Sequence, residues 1–298
     1  LLGVCHNSWY RGNLEGIPSD EFSKLLPWYN KFSKNIFLHV VLPVRMNNLA
    51  QNQKTDSLSG LSSNLPKVSL KNIFTKLLSW VSELQPLYSS GSTWGSYDSM
   101  HCYQEEEVEK KQQFISEFIQ NTKPKTVWDL GCNTGEYSEI ALKSGARHVI
   151  GFDYDQTSLE KAFTRADNNN LNLLPLYLDG ANPSPSQGWN NEERPGLLKR
   201  KNADAVLALA FEHHLTIGRN IPIPQFLEWL ISLAPIGVVE FIPKEDPNLQ
   251  RMLSLREDIF TDYTEKTFRN ILERKCKIIK STIVSKTGRT LFWYEATK

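Results

Sequence analysis

The sequence predicts an α/β protein: a doubly wound, mostly parallel, seven-stranded sheet with a terminal antiparallel hairpin and a mainly helical N-terminal extension. Three observations predict it. From Thr126 onward, short β-branched runs alternate with amphipathic segments of helix length, the pattern of a parallel sheet covered on both faces. The first run passes through two glycines, Gly131 and Gly135, into a helix-like stretch, and a strand, glycine loop and helix in that order form a ligand cradle. The chain closes with two strand-like runs, Lys277–Ser285 and Arg289–Ala296, around Thr287-Gly288, which reads as a hairpin.

At 298 residues and 40% hydrophobic content, the chain can bury one large domain and a smaller appendage. Residues 1–95 read as the appendage, a candidate recognition region, and residues 96–298 as the main domain. In the appendage, Ser19 to Lys34 is expected to form one short helix. Residues 47–67, rich in Asn, Gln, Ser and Gly, read as a mobile linker. Val68, Ile73, Leu77, Leu78, Val81 and Leu84 recur at helical spacing, so a helix with a buried face is expected there, ended by Pro86. Ser89 to Tyr103 is a loop carrying Trp94, Tyr97 and Tyr103.

Gln104 to Asn121 is the next helix, with Val108, Ile115, Phe118 and Ile119 on one face. Glu106–Lys110 and Glu107–Lys111 are spaced four apart, acid first, and read as a solvated face. Strands are then expected at Thr126–Leu130, Arg147–Phe152, Leu173–Leu178, Asp204–Leu209 and Gly237–Ile242, with helices between them. Gly145 should end the first of these helices, and Thr157-Ser158-Leu159-Glu160 reads as a capping box opening the second. Two more helices should start at Pro247, after the N-cap Asp246, and near Thr264.

The net charge of +1 provides no global field for nucleic acid, so a nucleic-acid partner is not favoured. The four cysteines, Cys5, Cys102, Cys132 and Cys276, lack metal-knuckle or redox spacing. Reduced thiols and a cytoplasmic location are therefore expected. No membrane span is expected, because the most apolar stretch, Trp229 to Ile242, is short and broken by Pro235 and Gly237. The chain starts at Leu1 rather than Met, which reads as a processed or truncated form that could have lost a targeting segment.

In a doubly wound sheet the ligand sits at the carboxyl ends of the strands. The loop there reads Asp129-Leu130-Gly131-Cys132-Asn133-Thr134-Gly135. A dinucleotide fingerprint would need glycines where Asn133 and Glu136 stand, and an acid at the helix start opposes a pyrophosphate. Asp129 suits a ligand bearing a positive amine better. Asp153 ends the second strand at the position of a ribose-binding acid. Asp155 is an alternative for that role but reads better as the start of the next helix. Asp179, after the third strand, is placed to accept a hydrogen bond from an exocyclic adenine amine.

These residues, with Asp204-Ala205-Val206-Leu207-Ala208-Leu209, resemble the class I S-adenosylmethionine-dependent methyltransferases over about residues 100–298. More narrowly, the chain looks like the NoeA-type nodulation protein group. That likeness rests on Val127 to Gly135, Asn182-Pro183-Ser184-Pro185, Ala208 to Leu215, Glu240-Phe241-Ile242-Pro243-Lys244 and Tyr10 to Pro18. The resemblance implies a Rossmann-like methyltransferase fold that binds S-adenosyl-L-methionine and releases S-adenosyl-L-homocysteine. It assigns Asp129, Gly131, Cys132, Asn133, Thr134 and Gly135 to the methionine part, Asp153 to the ribose and Asp179 to the adenine. Tyr154, Gly180 and Ala210 are expected beside them; Tyr97 could cover the sulfonium through a cation–π contact, although core packing is the commoner use of such an aromatic.

His213 and His214 follow the fourth strand and are expected at the acceptor side. One of them could serve as a base for an alcohol nucleophile, with Glu212 or Glu240 as a partner or an alternative. A metal site is not expected, since adjacent histidines in an extended segment point apart. The insert Asn182–Arg200 reads equally as a lid or as a packed loop. The expected function is methylation of a small-molecule or glycan-type oxygen. The alternatives are an RNA or protein methyltransferase, a cofactor-binding protein without turnover, and a nicotinamide dehydrogenase.

Overall fold

The computed structural model describes residues 7–52, 66–84, 105–254 and 256–297. Two units, Leu1–Ser89 and Ser90–Lys298, divide the chain.

In the first unit, α1 (Asn7–Gly12), α2 (Ser19–Leu25) and a 3₁₀ turn (Trp28–Phe32) precede α3 (Lys34–Ile36). A π turn (Phe37–Val41) carries α3 into α4 (Leu42–Asn52), and α5 spans Lys67–Glu83. The single helix expected over Ser19–Lys34 is thus broken. Pro27 forces Leu26 into extended backbone, φ −67° and ψ 132°, so the α2 ladder stops there. The linker expected over 47–67 is corrected at both ends. Asn47 to Asn52 continue a helix begun at Lys34, because extending a formed helix adds a bond for each residue fixed. Lys67 already belongs to α5, and residues 53–65 lie outside the described residues. Leu26, Ile36 and Val41 form a small core, with Phe22, Val40 and Trp80 packed against it. The spacing over 68–84 does form a helix, but no α5 residue is buried among the described residues; Val68 and Leu78 are 71% and 67% exposed.

The second unit holds α6 (Glu105–Thr122), β1 (Thr126–Leu130), α7 (Glu136–Lys143), β2 (His148–Asp153), α8 (Gln156–Asn168) and β3 (Leu173–Tyr177). After α9 (Leu197–Arg200) come β4 (Ala205–Ala208), α10 (Glu212–Arg219), α11 (Ile223–Leu233) and β5 (Ile236–Phe241). Helices α12 (Pro247–Leu253) and α13 (Glu265–Glu273) lead to β6 (Cys276–Ile283) and β7 (Thr290–Ala296). The seven strands lie in the order β3-β2-β1-β4-β5-β7-β6. The first five are parallel, and β7 runs antiparallel to both neighbours. The doubly wound sheet with its terminal hairpin is therefore the observed architecture.

The period of two along each strand sorts side chains into two cores. Val127, Ala205, Leu207 and Val238 face one side and pack on Phe114, Ile115, Phe118 and Ile119 of α6. Trp128, Leu130, Val206 and Val239 face the other and pack on α10 to α13. Each fully buried large side chain, such as Phe118 or Phe268, contributes roughly 1.5–3 kcal/mol through the surface it removes from water. Asp155, not the box starting at Thr157, caps α8, accepting from Thr157 N and Ser158 N at 2.7 and 3.1 Å. Asp246 caps α12 as expected, and the helix expected near Thr264 is α13, with Thr264 as its N-cap. Among the described residues no helix is long and apolar enough to cross a membrane.

Candidate active site

The strand order reverses between β1 and β4, which neighbour each other but are joined through β2 and β3. At their carboxyl ends a cleft of about 740 Å³ opens. Gly131, Cys132, Asn133 and Thr134 form one wall, joined by Asp153 and Tyr154. Asp179, Gly180, Ala210, His213 and His214 line it as well, so the structure brings most of the expected site residues into one space. Tyr97, with Trp94 and Tyr103, lies outside the described residues.

The chain turns at Gly131 and Gly135 through left-handed backbone, φ +74° and +81°. A Cβ on Gly131 would come within 3.0 Å of the Phe211 ring, and one on Gly180 within 2.9 Å of it. These two glycines therefore make room for Phe211, which stretches along the cleft between them. Asn133 adopts φ +48°, and its N–H donates to Asp153 Oδ2 at 2.9 Å. Asp153 Oδ1 accepts from Asp155 N at 2.8 Å. The carboxylate thus ties the loop after β1 to the end of β2 while lining the cleft. Burial raises its pKa, and the backbone N–H donors oppose the rise.

Two members of the expected set stand behind the cleft. Asp129, 2% exposed, accepts from the Ser138 hydroxyl at 2.6 Å and is not among the lining residues. Burial pushes its pKa up to about 6, against the Ser138 hydrogen bond. Its role is to fasten β1 to α7, not to face a ligand amine. Gly135 starts α7, where a Cβ would meet Leu173 Cδ2 at 2.9 Å, so it too acts through packing. Asp179 Oδ1 accepts from Ala181 N at 3.1 Å, and Oδ2 lies 3.8 Å from Nη2 of the exposed Arg219.

His213 and His214 sit in the first turn of α10, not in an extended segment. Their rings are 4.1 Å apart instead of pointing away from each other, because successive residues in a helix turn by about 100°. His213 is 4% exposed, and among the described residues its Nδ1 has no hydrogen-bond partner. Burial, then His214, Arg289 and Lys111, hold its pKa well below the ordinary range. Burial brings His214 down to about 4. Both are neutral at physiological pH, so each ring offers a lone pair but little affinity for a proton. Among the described residues no group of three His, Cys, Asp or Glu could hold a metal ion.

Neither glutamate weighed as a base lines the cleft. Glu212 is fully buried. Its Oε1 accepts from the Tyr263 hydroxyl and from Ile242 N at 3.3 Å. Burial pushes its pKa up to about 8 despite those bonds. Thr216 Oγ1 lies 3.1 Å from the Glu212 carbonyl oxygen and 3.0 Å from Oε2. Its single proton serves one contact, and a protonated carboxyl serves the other. An acid whose folded pKa is raised contributes stability that is full below the unfolded value, 4.5, and is lost as pH rises through about 8. Glu212→Gln keeps the donor and removes the titration. Urea unfolding of both proteins should show the variant gaining on the wild type, by a few kcal/mol in order of magnitude, between pH 5 and pH 8.5. A pH-independent difference would contradict the assignment.

Sequence reasoning missed two cations. Lys111, placed on a solvated helix face, is 2% exposed and pairs with Glu240 at 2.7 Å. Arg289 pairs with Asp246 through Nε at 2.6 Å and Nη2 at 2.9 Å. Both line the cleft. Burial lowers the Lys111 pKa, and Glu240 opposes this. The insert Asn182–Arg200 contributes no lining residue. It folds on itself through Gln187 and Arg194 and buries Leu197, which favours the packed-loop reading.

Residues 105–175 match the family model of the FtsJ-like methyltransferases. The chain is 43% identical to nodulation protein NoeA of Rhizobium meliloti (strain 1021) over 99% of its own length, and spans 62% of the length of that relative. It is 45% identical to the ribosomal protein L11 methyltransferase of Colwellia psychrerythraea (strain 34H / ATCC BAA-681) over 20% of each chain. Among solved structures, magnesium protoporphyrin IX methyltransferase (ChlM) from Synechocystis PCC 6803 aligns with 18% identity. The alignment has a TM-score of 0.47 and covers 78% of this chain and all of that one.

Proposed function

We propose that this chain is a class I methyltransferase similar to NoeA, and that it transfers a methyl group from S-adenosyl-L-methionine to an acceptor and releases S-adenosyl-L-homocysteine. One observation carries the reading: Asp153, the 131–134 loop and Asp179 line a single cleft at the switch point of the sheet. The donor set fits the cofactor. Asp153 keeps lone pairs for two ribose hydroxyls beyond the two amides it already binds. Asp179 and Gly180 border the place for the adenine, with Tyr154 at the rim and Ala210 beside the loop. Tyr97 remains a candidate cover for the sulfonium. When bound, the cofactor supplies an electrophilic methyl group on a sulfonium.

This chain's own contribution is positioning and water exclusion. We assign the acceptor side to His213 and His214. The Nδ1 of His213, without a hydrogen-bond partner among the described residues, accepts a hydrogen bond from an acceptor hydroxyl and aligns its oxygen with the methyl group. Because burial and the nearby cations weaken this imidazole as a base, full proton removal in the ground state is not its task. We favour a small-molecule or glycan-type oxygen acceptor in the cytoplasm, the location consistent with the free thiols of Cys132 and Cys276.

Calorimetry with S-adenosylhomocysteine and with NAD tests the cofactor; binding of NAD alone would refute the proposal. Labelled-methyl transfer into a fractionated cell extract, followed by mass spectrometry, identifies the acceptor. Label in RNA or protein would replace the small-molecule reading. Tight cofactor binding with no labelled product in any fraction would point to a binding protein without turnover. His213→Ala is expected to slow transfer about 10–100-fold, the worth of one or two directed hydrogen bonds, while S-adenosylhomocysteine affinity stays within about threefold. Equal losses in both measurements would remove His213 from the acceptor side.

A further inference from the structure

We propose that Glu240 is the positioning residue of this cleft: its carboxylate clamps Ala210 in a left-handed backbone turn, and that turn aims Phe211 and His213 at the ligand. The inference rests on the methyltransferase reading of the cleft. Ala210 has φ +47°, a conformation in which its Cβ is crowded by the backbone. Nothing in its side chain stabilises that turn, so the restraint must come from outside. Glu240 Oε2 supplies it, accepting from Ala210 N at 2.9 Å. The reach is short because β5 lies beside β4, with Val239 paired to Ala208. Glu240, one residue beyond that pair, stands next to the chain as it leaves β4.

The clamp is itself held on both sides. Glu240 Oε1 lies 2.7 Å from Lys111 Nζ on α6 and 3.7 Å from Arg289 Nη1 near the start of β7. Asp246, the N-cap of α12, grips Arg289 through two further bonds. Four elements therefore meet at one fully buried carboxyl group. Past the turn, the Phe211 ring lies against Gly131 and Gly180, and His213 comes to line the cleft. Glu240 does not line the cleft, so its effect on a ligand passes through the backbone of Ala210.

The test separates the clamp from the charge network around it. Replacing a buried ion pair with apolar side chains of similar volume preserves folding in many proteins. Lys111→Met with Glu240→Leu removes the Ala210 acceptor and leaves neither partner of that ion pair as an unpaired charge. Calorimetry should show S-adenosylhomocysteine affinity falling at least about tenfold, the worth of one restraining hydrogen bond. Adding Ala210→Gly should bring it back to within about threefold of wild type, because glycine occupies left-handed backbone without a clamp. Loss caused by Lys111 as a lining residue would not be recovered by a glycine at 210. Unchanged affinity in the double variant, or no recovery in the triple, would overturn the proposal.

Amide hydrogen exchange of the wild-type protein gives an answer even if the double variant does not fold. The Ala210 amide should exchange as slowly as those of the strand cores, and exchange at the rate of open loops would defeat the clamp. A wild-type protein that binds NAD and not S-adenosylhomocysteine would refute the methyltransferase reading, and the inference with it.

Discussion

Replacing Asp153 with alanine is expected to weaken S-adenosylhomocysteine binding by at least about 100-fold and to abolish labelled-methyl transfer. A hydrogen bond to a charged group is worth roughly 1.5–3 kcal/mol, so losing two ribose hydroxyl contacts removes 3 kcal/mol or more. The same change also frees the amides of Asn133 and Asp155, which now share the carboxylate. Asn133 holds a left-handed turn in the wall of the cleft, so the loop loses its anchor together with the ligand. Folding stability should change much less. Burial raises the pKa of this carboxyl, meaning that its charged form is held at a cost the alanine relieves. Calorimetry of the variant, beside its thermal unfolding without ligand, checks both halves. Unchanged affinity would refute the ribose assignment.

The sheet and most of the cleft were legible because their determinants are local. Each predicted strand matches an observed one to within two residues at either end, since a short apolar run bounded by turn residues is written into adjacent residues, and β1, β4 and β5 are such runs, buried on both faces. Asp153 and Asp179 were found by their distance from strand ends, which fixes where in a doubly wound sheet a residue emerges. Residues placed by distant partners were not legible. Lys111 has an ordinary i,i+4 acid in Glu107, and only the fold shows that it turns inward to Glu240, on a strand far away in sequence. Asp129 illustrates the opposite error. Its position at the strand end is right, but Ser138 on α7 captures it behind the loop. The histidines were misread because α10 begins immediately after a backbone reversal at Ala210, and no periodicity marks so early a start.

Arg289→Met should be the most destabilising single change in the cleft, costing about 3–5 kcal/mol of unfolding free energy, because it breaks a buried ion pair and leaves the partner charge in place. The guanidinium is 5% exposed, Asp246 3% and Glu240 0%, so water cannot replace what is lost. Asp246 would keep its cap bond from Asn248 N at 3.0 Å but lose both bonds from Arg289. Burial alone would raise the Asp246 pKa; the hydrogen bonds and charge of Arg289 outweigh it and hold the value below 3.8. An acid depressed in this way contributes stability that is present above its unfolded pKa and lost as pH falls through the folded one. The deficit of the variant should therefore be level from pH 8 to pH 5 and shrink only in more acidic solution. Urea unfolding across that range tests it. Adding Asp246→Asn should recover part of the loss, since an amide keeps the cap and leaves no unpaired charge. If the penalty came from lost packing around the arginine stem instead, the second substitution would recover nothing.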